Sequence, residues 1–136
     1  MKKLFADNEE HQSSLFQDKS IMYKTDIQTN ITEITDKFEK GTWINMIAPT
    51  EAEIKLVCEK LKIQEDFIRD ALDTEEKARI DYEEDDNTTL FIVDVPIIEK
   101  ENNEVIHSTM PIGLIVVRDD FFITVASKQN QIISEL

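Results

Sequence analysis

The chain has 136 residues, 40% of them hydrophobic, which suits one domain whose core buries roughly two thirds of the unfolded surface and sets it apart from disordered chains. Twenty-nine acids against 15 bases leave a formal net charge of −14. That balance argues against nucleic acid and against an anionic membrane surface, both of which need a cationic face, and favours cations or the basic face of another protein. A lone cysteine, Cys58, allows no internal disulfide and fits a reducing compartment. The start carries no apolar stretch of signal-peptide length, and no run approaches the eighteen or so apolar residues of a spanning helix, so the chain as given reads as soluble.

Residues 1–20 are polar, with Leu4-Phe5 and Leu15-Phe16 isolated among them, and read as an amino-terminal arm. Ile21-Met-Tyr23 predicts a first strand, and the alternation Ile31-Thr-Glu-Ile-Thr35 a second. A charged turn closes at Gly41, one of only two glycines. Residues 42–47 hold the only Trp, Trp43, in a run of strand formers. Pro49 stops that run and disfavours helix at Ala48. Thr50 then heads the pattern Thr-x-x-Glu with Glu53, a capping box. Ile54, Val57, Cys58 and Leu61 follow at i, i+3, i+4 and i+7, one apolar face of a helix. A second helix begins near residues 64–66. It turns Phe67, Ile68, Ala71 and Leu72 to one side and Glu65, Asp66, Arg69, Asp70 and Asp73 to the other.

From Arg79 the period becomes two. Residues 79–83 predict a strand, residues 84–87 a polar turn, and residues 89–98 a nearly continuous apolar strand expected to be buried on both faces. Pro96 donates no ladder hydrogen bond, which places that end at an edge or a bulge. Residues 105–117 predict another strand with a bend at Pro111-Ile-Gly113, Arg118-Asp-Asp120 a tight turn, and residues 121–125 the closing strand. The order predicts an α+β fold, helices packed on a mixed, mostly antiparallel sheet. The domain runs over residues 21–127, and residues 128–136 look like the start of a helix that is cut off.

Chemistry concentrates in residues 65–86, where eleven acids face Arg69, Lys77 and Arg79, so 22 residues hold −8 of the −14. Asp66, Asp70 and Asp73, spaced i, i+4, i+7, fall on one helix face. Two readings stand side by side: a solvated face with acids paired to the three bases, or carboxylate ligands for a hard cation that keeps several waters. Asp81-x-Glu-x-Asp lacks the glycine and distal Glu of an EF-hand. His11, His107 and Cys58 make no metal cluster, and no nucleophile elbow or phosphate loop can be written with Gly41 and Gly113 alone. Trp43 and Phe67 read as core. No catalytic apparatus is visible.

An ordered series of motifs adds to this. Trp43-Ile-Asn45, Pro49-Thr-Glu-Ala-Glu-Ile54, Ala71-Leu-Asp-Thr-Glu-Glu76, Arg79-Ile-Asp-Tyr-Glu-Glu84, Asp94-Val-Pro96, Thr109-Met-Pro-Ile-Gly-Leu-Ile-Val-Val117 and Phe122-Ile-Thr-Val125 resemble the amino-terminal cytosolic domain of CorA-type magnesium transporters. The resemblance runs from about residue 21 to about residue 125. It implies a metal-sensing regulatory domain on the cytoplasmic side of the cell membrane, in a homopentamer that meets the membrane only through carboxy-terminal helices. Those two spanning helices and the Gly-Met-Asn between them are not in this sequence. By motif position, Asp70 matches the aspartate that shares a regulatory Mg2+ with an acid on the neighbouring subunit's stalk helix, with Co2+ a possible substitute. Carboxylates crowd Asp70, so Asp66 or Asp73 could be the contact instead. The alternative is a stand-alone acidic module that binds a basic protein. A small hydrolase is the third class, and it lacks a converging acid, base and nucleophile.

Overall fold

The computed structural model describes residues 20–26, 28, 29, 31–128 and 130. The arm expected over residues 1–20 therefore lies outside the described residues except for Ser20, and the helix start expected over residues 128–136 except for Lys128 and Asn130. The elements are β1 (Ile21–Asp26), β2 (Ile31–Ile34), β3 (Thr42–Ile47), α1 (Glu51–Leu61), α2 (Asp66–Leu72), β4 (Arg79–Glu83), β5 (Thr88–Glu101), β6 (Glu104–Val117) and β7 (Phe121–Ala126). The seven strands form one sheet in the order β2-β1-β3-β7-β6-β5-β4. All pairings are antiparallel except the central β3–β7 pair, which is parallel, so the fold is α+β on a mixed, mostly antiparallel sheet as the pattern predicts.

The capping box forms as written. Thr50 sits in extended conformation, its side-chain oxygen accepts the Glu53 N–H at 3.1 Å, and Glu53 Oε1 accepts the Thr50 N–H at 2.9 Å. Two orphan donors of the first turn are thereby satisfied. At the other end Lys62 takes a left-handed φ of 58° and Arg118 donates to the Leu61 carbonyl. The predicted face of α1 (Ile54, Val57, Cys58, Leu61) is buried with Ile68 and Ala71 of α2 against Met22, Ile44, Met46, Leu90, Ile92, Ile115, Ile123 and Val125 of the sheet. Burial pushes the Cys58 thiol up to about 11, so it is a neutral core group at physiological pH.

Strand β5 departs from its expected burial on both faces. Leu90 and Ile92 lie under the helices, whereas Val93, on the opposite face, is 38% exposed, and Ile98, on the helix-side face but six residues beyond Ile92, is 64% exposed. The apolar run is chemically two-sided, but among the described residues both helices lie on one face. The other face carries a smaller cluster of Ile47, Val95, Met110, Ile112 and Ala126, flanked by Trp43, Ile97 and Leu114. Trp43 therefore packs half-buried on that second face, and its indole donates to Thr124 Oγ1 at 2.9 Å. Pro96 does lie at an edge, because β4 pairs with β5 only as far as Ile92. The ladder with β6 runs through Pro111–Gly113 without a bulge.

Gly113 decides how close α2 comes to the sheet. A Cβ built there would stand 2.4 Å from the Ala71 Cβ, a separation no packed pair tolerates. Gly113→Ala should therefore lift α2 off β6 and destabilise the domain by about 1–3 kcal/mol. Thermal melts check this, and Ala71→Gly in the same chain should recover part of the loss.

Candidate functional site

Strand β4 pairs with β5 so that Arg79 lies opposite Ile92 and Asp81 opposite Leu90. Directly opposed residues of an antiparallel pair share a face, so Arg79 and Asp81 project to the helix side. There the Arg79 guanidinium meets three carboxylates. Nη2 donates to Asp70 Oδ2 at 2.8 Å, Nη1 to Glu76 Oε1, and Nε to Asp81 Oδ2 at 3.4 Å. Each of its nitrogens thus faces a different acid, from α2, the connecting loop and β4. The Arg79 and Asp70 side chains are 30% and 39% exposed, so this is a surface network in contact with solvent.

A second guanidinium organises the other end of the acidic region. Arg69 holds Glu51 by two hydrogen bonds, at 3.1 and 2.7 Å, and reaches Glu65 at 3.5 Å. It ties the first turn of α1 to α2. The hydrogen bond and charge of Arg69 hold the Glu51 carboxyl below its usual range, and Glu51 raises Arg69 in turn. The pairing of acids with Arg69 and Arg79 that the bare sequence allows is thus present. Lys77 is exposed and makes no ion pair among the described residues.

The three predicted aspartates separate. Helix α2 stops at Leu72, and Asp73 follows in extended conformation as its C-cap. Its carboxylate accepts the Glu75 N–H at 3.0 Å and shapes the loop to β4, so Asp73 is not a third member of a helix face. Asp66, in the first turn, lines a small depression with Gln64, Glu83, Asp86 and Thr88. Only Asp70 joins the Arg79 network. The grouping of Glu76 and Asp81 with Asp70 has no periodic signal in the sequence, because it pairs a helix end, a loop and a strand. Among the described residues no group of three or more His, Cys, Asp or Glu is arranged to hold a metal ion. His107 is exposed in the outer half of β6, and His11 lies outside the described residues.

The family of CorA-like Mg2+ transporter proteins matches residues 38–136. The chain belongs to that family. No curated protein matches it. Among solved structures, this CorA-like chain is similar to the soluble domain of CorA from Methanocaldococcus jannaschii, with a TM-score of 0.70 and 18% identity over 89% of this chain and 45% of that one. It is similar also to the complete CorA magnesium transporter of the same organism, with a TM-score of 0.66 and 22% identity over 85% of this chain and 34% of the other. These likenesses establish the fold. The CorA-like chain spans less than half the length of either structure. No helix among its described residues is long and apolar enough to cross a membrane.

Within this CorA-like domain Asp70 does not by itself complete a metal site. Oδ2 is engaged by Arg79, whereas Oδ1 has no partner among the described residues. Magnesium commonly takes one or two carboxylates and keeps its waters, so a complete site needs partners that a single partly exposed aspartate does not supply.

The Arg69–Glu51 pair sets a pH dependence. A carboxyl held low in the folded state contributes stability above its unfolded pKa, near 4.5, and loses it as pH falls through the lower folded value. Wild type should therefore melt slightly above Glu51→Gln at pH 6, and the gap should close as pH falls below 4.5. Melting temperatures taken between pH 6 and 3 check it, and a gap that persists at pH 3 would assign the stabilisation to something other than this ion pair.

Proposed function

We propose that this chain is the metal-sensing regulatory domain of a CorA-like divalent cation transporter, on the cytoplasmic side of the membrane and not an enzyme. Asp70 would supply one carboxylate to a regulatory Mg2+, with Co2+ as a substitute, and a neighbouring copy in a homo-oligomer, a pentamer in the intact protein, would supply the rest. The observation that carries this reading is the placement of Asp70 in a chain matched to the family over residues 38–136. Of the three candidate aspartates, Asp73 stands outside helix α2 and Asp66 lies apart at the β4–β5 depression, whereas Asp70 stands within the helix with Oδ2 held by Arg79 and Oδ1 outside that pair. Membership of a transporter family supports the ion class, and the longer similar structures support a larger parent protein.

A divalent ion between two facing carboxylates relieves their repulsion and rewards the arrangement that brings them together. A ligand that binds one arrangement better shifts the population toward it, which is what a regulatory domain requires. Asp66 and Asp73 are the lesser candidates, since Asp73 already supports a loop and Asp66 looks toward the β4–β5 turn.

The test is a Mn2+ titration followed by NMR, with Mn2+ as a paramagnetic stand-in for Mg2+. Amide signals of residues 68–72 and 78–81 should broaden first, Mg2+ in excess should restore them, and Asp70→Asn should remove the effect. Millimolar Mg2+ should also raise the melting temperature by a degree or two, because a ligand of the folded state stabilises it. Broadening centred elsewhere and unchanged in Asp70→Asn would overturn the assignment.

A further inference from the structure

We propose that Arg79 is a tethered competitor of the divalent cation at Asp70, and that its grip sets the concentration at which that site fills. This inference rests on the proposed function of Asp70 and adds to it the residue that regulates it. The geometry carries it. The guanidinium already holds Asp70 Oδ2 at 2.8 Å and also engages Glu76 and Asp81. Asp70, Glu76 and Asp81 therefore converge on one positive charge that belongs to the chain itself. A divalent ion that takes Asp70 must share or displace that charge, and two cations at one carboxylate oppose each other.

The competition is built into the backbone. Arg79 opens β4 on the helix side, opposite Ile92, and Asp70 lies in α2, which Ala71 seats on Gly113. The backbone positions of both residues are fixed, and the Arg79 side chain spans the gap between them. Glu76 and Asp81 give Arg79 somewhere to stay when Asp70 is taken, so release of Asp70 does not leave an unpaired guanidinium. The network is 25–52% exposed, so solvent screens it and the effect is graded rather than all-or-none.

Arg79→Gln removes the competitor and leaves an amide. The expected result is an apparent Kd for Mn2+, read from the NMR titration of the chain, lower by about three- to tenfold, the reach of a partly screened charge. Lys77→Gln removes the same formal charge two residues away without touching Asp70, and should leave the Kd within about twofold, since exposed charges beyond direct contact are screened. Arg79→Lys, a compact charge without the three-way fork, should fall between wild type and Arg79→Gln. Each Kd is measured on folded protein and compared with that variant's own metal-free spectrum, so a loss of stability does not mimic a change in binding.

Asp70→Asn combined with Arg79→Gln separates the two ideas. If the double variant loses the tightening, both stand. If Asp70→Asn abolishes the wild-type response but Arg79→Gln leaves the Kd unchanged or weaker, the competitor is overturned and the Asp70 reading stands. Equal tightening in Lys77→Gln and Arg79→Gln also overturns it, since net charge alone would then explain the gain. If the wild-type response is absent or indifferent to Asp70→Asn, the functional reading falls and the competitor falls with it.

Discussion

The seat of α2 on the sheet is the constraint on which the acidic region depends. Ala71 rests where Gly113 leaves no side chain, and a methyl group there would collide at 2.4 Å. Helix α2 is only seven residues long, too short to hold its shape by backbone hydrogen bonding alone. Its order comes from Ile68 and Ala71, both fully buried, and from the close approach that Gly113 permits. Asp70 precedes Ala71, so its direction is decided by that contact. Arg79 enters from an edge strand whose register with β5 is fixed residue by residue. The meeting of Asp70 with Arg79 is thus a consequence of core packing on one side and strand pairing on the other.

Charge shapes what that meeting can do. Residues 65–86 hold −8, and like charges at such density repel enough to weaken a short helix. Two arginines divide the task of containing them. Arg69 joins α2 to the first turn of α1 through Glu51, and Arg79 gathers Asp70, Glu76 and Asp81. Arginine suits both places because its planar fork serves several carboxylates at once, where lysine would offer one point charge. Asp66, Glu83 and Asp86 lie apart from these hubs around the small depression at the β4–β5 turn. The acidic surface is therefore uneven: partly compensated in cis around the two arginines and without such a hub at the β4–β5 end.

Local signals were legible in the sequence, and contacts between distant elements were not. The strand at residues 42–47, the capping box of Thr50 and Glu53 and the apolar face of α1 each rest on spacings within about ten residues, and each appears as read. The β5 strand misled because its outward residues are apolar too, so the run looked like a strand covered on both faces; among the described residues only one face has helices. Asp73 leaves the helix face that its spacing with Asp66 and Asp70 predicts, because the helix ends at Leu72, and a periodic pattern does not mark where a helix stops. Asp70 itself was reached through the resemblance of a motif, not through periodicity. Arg79 was visible only as one of three available bases, since nothing in a linear spacing of nine residues announces that a loop will fold it back onto α2.

A half-site changes what an affinity means. If one carboxylate comes from this chain and the other from a neighbour, the ion's affinity belongs to the contact between subunits, and it rises or falls with whatever brings them together. Linkage then runs both ways: the ion favours the closed arrangement, and the closed arrangement favours the ion by the same factor. A tethered cation on one half acts differently from a change in the metal ligands themselves. It leaves the ligand set intact and adds a fixed cost to filling the site, which moves the working concentration without altering which ion is accepted. The Arg79 guanidinium donates only to carboxylates, and Arg79 is not among the core residues that seat α2, so its charge can be changed without altering that core.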